Sequence, residues 1–329
     1  MNRYLKFGLF IFSFLLILII GSLVYIQMIL PDVGNPPENM KLSTSSETLN
    51  RGKYLANHVM ICIDCHSQRD FSLFSGPPIP GTEGSGGEVF DHAMGFPGTF
   101  ISPNITPAHL TSYSDGELFR LITTGVKKDG DPIFPIMPYA NYGKMDKEDI
   151  LSVIAYIRTL SPIEKVQPTS EPDFPFSLIM RTIPQRAEFS TRPPESDAIA
   201  YGKYLVNAAA CNDCHTKFEN GKYTGEHLAG GRVFNMPDGN ILTSPNLTPH
   251  KTGLGNWTKE QFIERFKQYE DRNKLGKVQA GEMQTIMPWN MYAGMTVKDL
   301  GAIYTYIQSL KPVDNQVNKF LKAESLEAV

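Results

Sequence analysis

Four cysteines occur in the chain, in two pairs at one spacing: Cys62-Ile63-Asp64-Cys65-His66 and Cys211-Asn212-Asp213-Cys214-His215. Thiols two residues apart with a histidine directly after them admit three chemistries: a redox dithiol, half of a zinc site, or covalent attachment of haem. A thioredoxin-like dithiol needs a strand–helix–strand setting, which the sequence lacks. A structural zinc needs four ligands, whereas each motif has two cysteines and no second histidine at a repeated position. The haem chemistry employs every residue, because the thiols add to the porphyrin vinyl groups and the histidine supplies an axial nitrogen to iron. Cys62, Cys65, Cys211 and Cys214 are therefore expected to hold two covalent haem c groups, with His66 and His215 on the irons.

Other landmarks recur in the same order. Gly52-Lys53-Tyr54-Leu55 returns as Gly202-Lys203-Tyr204-Leu205, and Gly86-Gly87-Glu88-Val89-Phe90 as Gly230-Gly231-Arg232-Val233-Phe234. Ser102-Pro103-Asn104-Ile105-Thr106-Pro107 returns as Ser244-Pro245-Asn246-Leu247-Thr248-Pro249, and Met137-Pro138 through Pro162 as Met287-Pro288 through Pro312. Matched landmarks with small length changes between them imply two copies of one fold. The repeat also filters candidates for the second axial position. His92, His109, His227 and His250 meet no histidine in the other copy, while Met137 pairs with Met287 and Met145 with Met295. A following proline holds Met137 and Met287 in extended backbone, which suits a side chain presented from a loop. These two are expected on the irons, and Met145 and Met295, just before the last helix of each copy, in the core.

Few elements are needed to position these groups. A first helix, 48–59 or 197–209, runs into the cysteines. A second starts at Ser114 or Thr258, where Glu117 or Gln261 completes a capping box. The last follows Asp146 or Thr296 and lays Ile150, Val153, Ile154, Ile157 and Leu160 on one face, matched by Leu300, Ile303, Tyr304, Ile307 and Leu310. No run of alternating β-branched residues appears, so the expected class is all-α. The copies are expected at 48–165 and 197–315, joined by a proline-rich linker at 166–196 and followed by a tail at 316–329. Phe174, Phe176, Leu178, Ile179 and Met180 suggest that the linker packs on one copy's surface.

Residues 7–30 carry no charge, and as a helix they would span about 36 Å, more than the ~30 Å hydrocarbon core of a bilayer. A cleaved signal peptide has a shorter apolar stretch and a small-x-small site; here Gln27-Met28-Ile29-Leu30-Pro31 follows, so residues 1–31 are expected to be a retained anchor. Arg3 and Lys6 precede the span and Asp32 and Glu38 follow it, which places the copies on the periplasmic side of an inner membrane. The segment 32–47 could extend to ~60 Å and let the copies move relative to the bilayer. A net charge of −3 with no basic cluster argues against nucleic-acid binding.

On these motifs each copy resembles a class I cytochrome c domain, over about 48–162 and 197–312. The tandem pair, with its Gly-Gly-x-Val-Phe and Asn-Ile/Leu-Thr-Pro segments, is similar to the cytochrome subunits that serve membrane-associated bacterial alcohol and aldehyde dehydrogenases. Those commonly carry three haem domains, and this chain has two. The resemblance implies that Asn104 and Asn246, together with Trp257 in the second copy and Arg120 in the first, lie at the haem edges; Tyr113 and Glu264 replace the last two in the opposite copies. An iron closed by histidine and methionine carries electrons. The expectation is a membrane-anchored dihaem cytochrome c between a periplasmic dehydrogenase or quinol-oxidising complex and a terminal oxidase or small cytochrome. A dihaem peroxidase is the competing reading; it needs one iron that can open a position, and the matched Met137 and Met287 argue against it.

Overall fold

The computed structural model describes residues 2–279 and 281–323. Helix α1 (Arg3–Met28) has none of its residues buried, touches the rest through its last turn, and among the described residues it alone is long and apolar enough to cross a membrane. The first copy begins with α2 (Ser46–Tyr54), whose first turn is capped by the Ser45 hydroxyl. The helix continues as a π turn through Leu55–Val59 and then reverses at Ile61, with φ +50°, into the short α3 (Cys62–Cys65). The hairpin β1 (Val89–Phe90) and β2 (Gly98–Ile101) follows. Next come α4 (Pro107–Leu110), α5 (Asp115–Thr124), α6 (Tyr139–Tyr142) and α7 (Lys147–Ile157). The linker supplies β3 (Glu171–Pro172) and α8 (Phe176–Ile179).

The second copy repeats this plan. It runs α9 (Ala198–Ala208), a reversal at Ala210 with φ +51°, and α10 (Cys211–His215). Two hairpins follow, β4 (Phe218–Glu219) with β5 (Lys222–Tyr223) and β6 (Val233–Asn235) with β7 (Ile241–Thr243). The remaining elements are α11 (Lys259–Lys267), α12 (Trp289–Tyr292), α13 (Val297–Gln308) and β8 (Phe320–Leu321). Both expected capping boxes form, at Ser114/Glu117 and at Thr258/Gln261. The periodic faces of the last helices are inside: Ile150, Val153, Ile154, Leu300, Ile303 and Ile307 are all buried.

The main packing in each copy is the first helix across the last, α2 on α7 and α9 on α13. Glycine permits this approach. A Cβ on Gly52 would stand 1.8 Å from the Ser152 carbonyl oxygen, and one on Gly202 would stand 2.1 Å from that of Ala302. The recurring glycine before Tyr-Leu is thus the contact point of two helix backbones.

The all-α expectation is wrong. Helix makes up 40% of the chain, and small antiparallel sheets accompany it. In each copy the hairpin after the Gly-Gly pair gains a third strand from the chain beyond the last helix: β3 adds to β2, and β8 adds to β7. Strands of two to four residues are too short for an alternating pattern to show in sequence, and their third partners are remote in the chain. Pairing with a distant segment widened two of these hairpins into three-stranded sheets.

The segment after α1 is packed down. The Pro37 carbonyl lies against Gly116, and Met40 and Leu42 pack on the core. The linker is likewise docked, with the Phe176 ring 5.7 Å from that of Phe134. Residues 324–329 of the expected tail lie outside the described residues.

The two copies meet across a pseudo-twofold seam. Tyr54 donates to the Asp299 carboxylate at 2.5 Å, and its repeat counterpart Tyr204 donates to Asp149 at 2.6 Å. Each hydroxyl accepts in turn from the backbone N–H at the cap of the opposite last helix, Thr296 or Asp146. Asp149 is also bonded by Arg51 at 2.7 Å and Arg192 at 2.8 Å.

Candidate cofactor site

Each histidine of the motifs is held by its own copy's proline turn. His66 Nδ1 lies 2.8 Å from the Pro103 carbonyl oxygen, and His215 Nδ1 lies 3.0 Å from that of Pro245. A ring that donates Nδ1–H to a carbonyl keeps Nε2 unprotonated, the state a metal ligand requires. Burial lowers the pKa of both rings, more than the carbonyl bonds raise it, and so favours the neutral form. The Ser-Pro-Asn segments, flagged by their repetition, are therefore the supports of the histidines.

The thiols are free of disulfides. Burial pushes Cys62 and Cys211 up to about 12 and Cys214 to about 11, and raises Cys65 well above its ordinary value. Thiols held in the neutral form are poor redox nucleophiles, which weighs against a dithiol. Among the described residues no three acidic, cysteine or histidine side chains gather as a metal cluster, so a zinc site has no ligand set. The left-handed turns at Ile61 and Ala210 aim each motif inward. A non-glycine residue in that region costs about 1–3 kcal/mol and persists only where its surroundings impose it; sequence gave no sign of it.

One continuous cavity of about 2930 Å³ contains both motifs. Met137 and Met287 line it, as do Asn104, Asn246 and Trp257. Met295 also reaches it, whereas Met145 is wholly buried and does not. Between the motifs stand Tyr142 and Tyr292, buried, with their hydroxyls on the carbonyls of Met60 and Ala209. Mostly apolar walls around a large hollow, with two neutral imidazoles and four neutral thiols on its lining, fit a porphyrin in each half.

The supporting residues expected from the resemblance fare differently. Asn104 gives both amide protons to the carbonyls of Ile163 and Lys165, and its oxygen accepts from Thr106. Asn246 gives its amide protons to the Val313 carbonyl and the Thr252 hydroxyl, and its oxygen accepts from Thr248. Both thus tie the proline turn to the chain after the last helix, which steadies the carbonyl under each histidine. Trp257 is on the cavity wall; Tyr113 takes its place in the first copy, under the Lys128 ammonium. Arg120 is not on the wall: it bonds the Lys127 carbonyl and leaves Nε buried without a partner.

Sequence reasoning missed two guanidinium groups. Arg69 pairs with Asp64 at 3.2 Å and with Glu88 at 3.0 Å, and Arg232 bonds the Asp213 carbonyl. Glu88 and Arg232 occupy one matched position with opposite charge, a signal present in the Gly-Gly-x-Val-Phe alignment. Burial, only partly offset by Arg69, pushes the Asp64 carboxyl up to about 6 and Glu88 to about 7.

Residues 199–311 match the family model for cytochrome c. The chain carries a cytochrome c domain. A cytochrome c domain implies covalently bound haem c, in agreement with the α10 thiols and His215. Over 82–84% of its length the chain is homologous to cytochrome c subunits of dehydrogenases. It is 28% identical over 291 residues to the fructose dehydrogenase cytochrome subunit of Gluconobacter japonicus, covering 84% of this chain and 55% of that protein. It is 27% identical over 294 residues to the alcohol dehydrogenase (quinone) cytochrome c subunit of Komagataeibacter europaeus, with 82% and 57% covered. The gluconate 2-dehydrogenase cytochrome c subunit of Pantoea cypripedii is 27% identical over 300 residues, with 84% and 63% covered. The chain thus spans little more than half the length of these curated relatives.

Proposed function

We propose that the chain is a membrane-anchored dihaem cytochrome c that conducts electrons through its paired cavity. The carrying observation is that both Cys-x-x-Cys-His motifs and both methionine–proline loops line one hollow. Cys62, Cys65, His66 and Met137 would hold the first haem, and Cys211, Cys214, His215 and Met287 the second. The haems supply one-electron chemistry when bound. The chain's own groups do the rest. The Pro103 and Pro245 carbonyls fix the imidazoles, Tyr142 and Tyr292 fill the space between the motifs, and the seam holds the halves in one register. Two closed irons suit a carrier better than a peroxidase.

The named relatives are subunits of fructose, alcohol and gluconate dehydrogenases, which supports a dehydrogenase as donor and a smaller cytochrome or oxidase as acceptor. Arg3 and Lys6 before α1 support a periplasmic placement of residues 48–165 and 197–315 on the inner membrane. Haem staining after denaturing electrophoresis and a pyridine haemochrome assay test the reading. Two covalent haems per chain are expected, with no binding of carbon monoxide and no sustained turnover of hydrogen peroxide. One haem per chain, or peroxide turnover lost on mutating one iron site, would overturn it.

A further inference from the structure

The linker segment after β3 lies beside the exit of α1. Arg181, just beyond α8, donates from Nε to the carbonyls of Ile26 at 3.1 Å and Leu30 at 3.0 Å, and its Nη1 pairs with Asp131 of the first copy at 2.7 Å. The last carbonyls of a helix have no partner within it; Arg181 satisfies that of Ile26 and at the same time fastens the first copy to the helix end. Arg186 with Asp32 adds a second tie, at 2.9 Å. Gln27 of α1 lies on the wall of the cavity itself. The first copy is therefore bolted to the end of α1, and residues close to Arg181 in the chain sit near the level at which that helix leaves its apolar stretch.

At this level the segment shows large apolar side chains to the outside. Phe174 is 82% exposed and Ile179 is 49% exposed, while Met180 and the Phe176 ring between them pack inward. Tyr25, half-exposed in the last full turn of α1, is of the type found where a span meets the headgroups. Apolar residues presented beside a span's exit meet the acyl–headgroup boundary, where amphipathic elements bury their apolar side.

We propose that Phe174 and Ile179 insert into the lipid bilayer next to the exit of α1, so that the linker seats the first copy on the membrane surface with its cavity beside the bilayer. The proposal rests on the reading of α1 as a span. Its occupant is lipid, and the contact is with acyl chains and does not need anionic headgroups.

The test uses the full haem-loaded chain in phosphatidylcholine vesicles, carrying one nitroxide at a time on Phe174→Cys, Ile179→Cys, a control inside the span (Phe14→Cys) and an aqueous control (Val166→Cys, at a residue 94% exposed). The unsubstituted chain corrects for labelling of its own cysteines. Collisions with oxygen and with a neutral nickel chelate are read from power saturation. Labels at 174 and 179 are expected to show an oxygen-to-nickel ratio several-fold above that at 166, though below that at 14. A ratio equal to that at 166, with 14 lipid-like, overturns the proposal alone; aqueous behaviour at 14 as well overturns the span and the proposal together. Labels shielded from both reagents mean that a protein subunit covers the segment, which also overturns it.

Discussion

Two imidazoles that donate to matched proline carbonyls, at 2.8 and 3.0 Å, place the chemistry of the site on single atoms. With Nδ1 so used, Nε2 is the nitrogen left free on each ring, and under the proposed function it would be the one to hold a haem iron. Four methionines of the second half line the cavity, Met236, Met283, Met287 and Met295; of the two matched pairs only Met137/Met287 has both members there. The residue-scale prediction follows. Met137→His or Met287→His should keep its haem attached, abolish the sulfur-to-iron charge-transfer band of that half, and lower its potential by on the order of 0.1 V, a fraction of the ~0.8 V that axial ligands command. Absorption spectra and redox titration of each variant check this. Unchanged spectra in both would overturn Met137 and Met287 as ligands.

Among the elements, the crossing of first and last helices decides whether each motif is presented at all. α2 and α9 lead directly through a left-handed residue into the cysteines, so a shift of either helix displaces the thiols and the histidine together. Gly52→Ala or Gly202→Ala forces a Cβ into a backbone carbonyl at 1.8 or 2.1 Å, and overpacking of this kind costs about 1–3 kcal/mol. Each variant is expected to lose that stability in urea unfolding and to carry fewer haems per chain. Gly276, where an added Cβ meets nothing within 4 Å, is the control; its alanine variant should stay within about 0.5 kcal/mol of the parent.

For the whole molecule the seam is what joins the two copies. Asp149 is its most heavily bonded acid, held by Arg51, Arg192 and Tyr204. Burial alone would raise its carboxyl, but the Arg51 hydrogen bond and charge, with Tyr204 and Arg192, outweigh it and hold the group below the ordinary carboxylate value. A carboxyl depressed in the folded state adds stability that is complete above its unfolded pKa and disappears as pH falls through the folded one. Asp149→Asn should therefore cost about 2–3 kcal/mol at pH 7, and the gap from the parent should narrow on acidification, as read by urea unfolding across the acid range. Tyr54 and Asp299 would still join the halves, so the variant should keep both haems.

Read alone, the sequence determined the duplication, the thiols and histidines, the two capping boxes, the buried faces of the last helices and the apolar span, because each is written in local spacing or in a pattern that occurs twice. It also marked Gly52 and Gly202 by repetition, without the reason. Only the tertiary structure decided the rest. β3 and β8 complete sheets that no local alternation announces, so the molecule is not all-α. Asn104 and Asn246 reach with their amides to carbonyls of the chain after the last helix, Ile163 and Lys165 in one copy and Val313 in the other, and Arg69, three residues past the first motif, closes on Asp64 and Glu88. The joining of Tyr54 to Asp299 and of Tyr204 to Asp149 spans the two copies. Such contacts depend on which surfaces the folded copies bring together, and a repeat in sequence carries the surfaces but not the symmetry by which they meet.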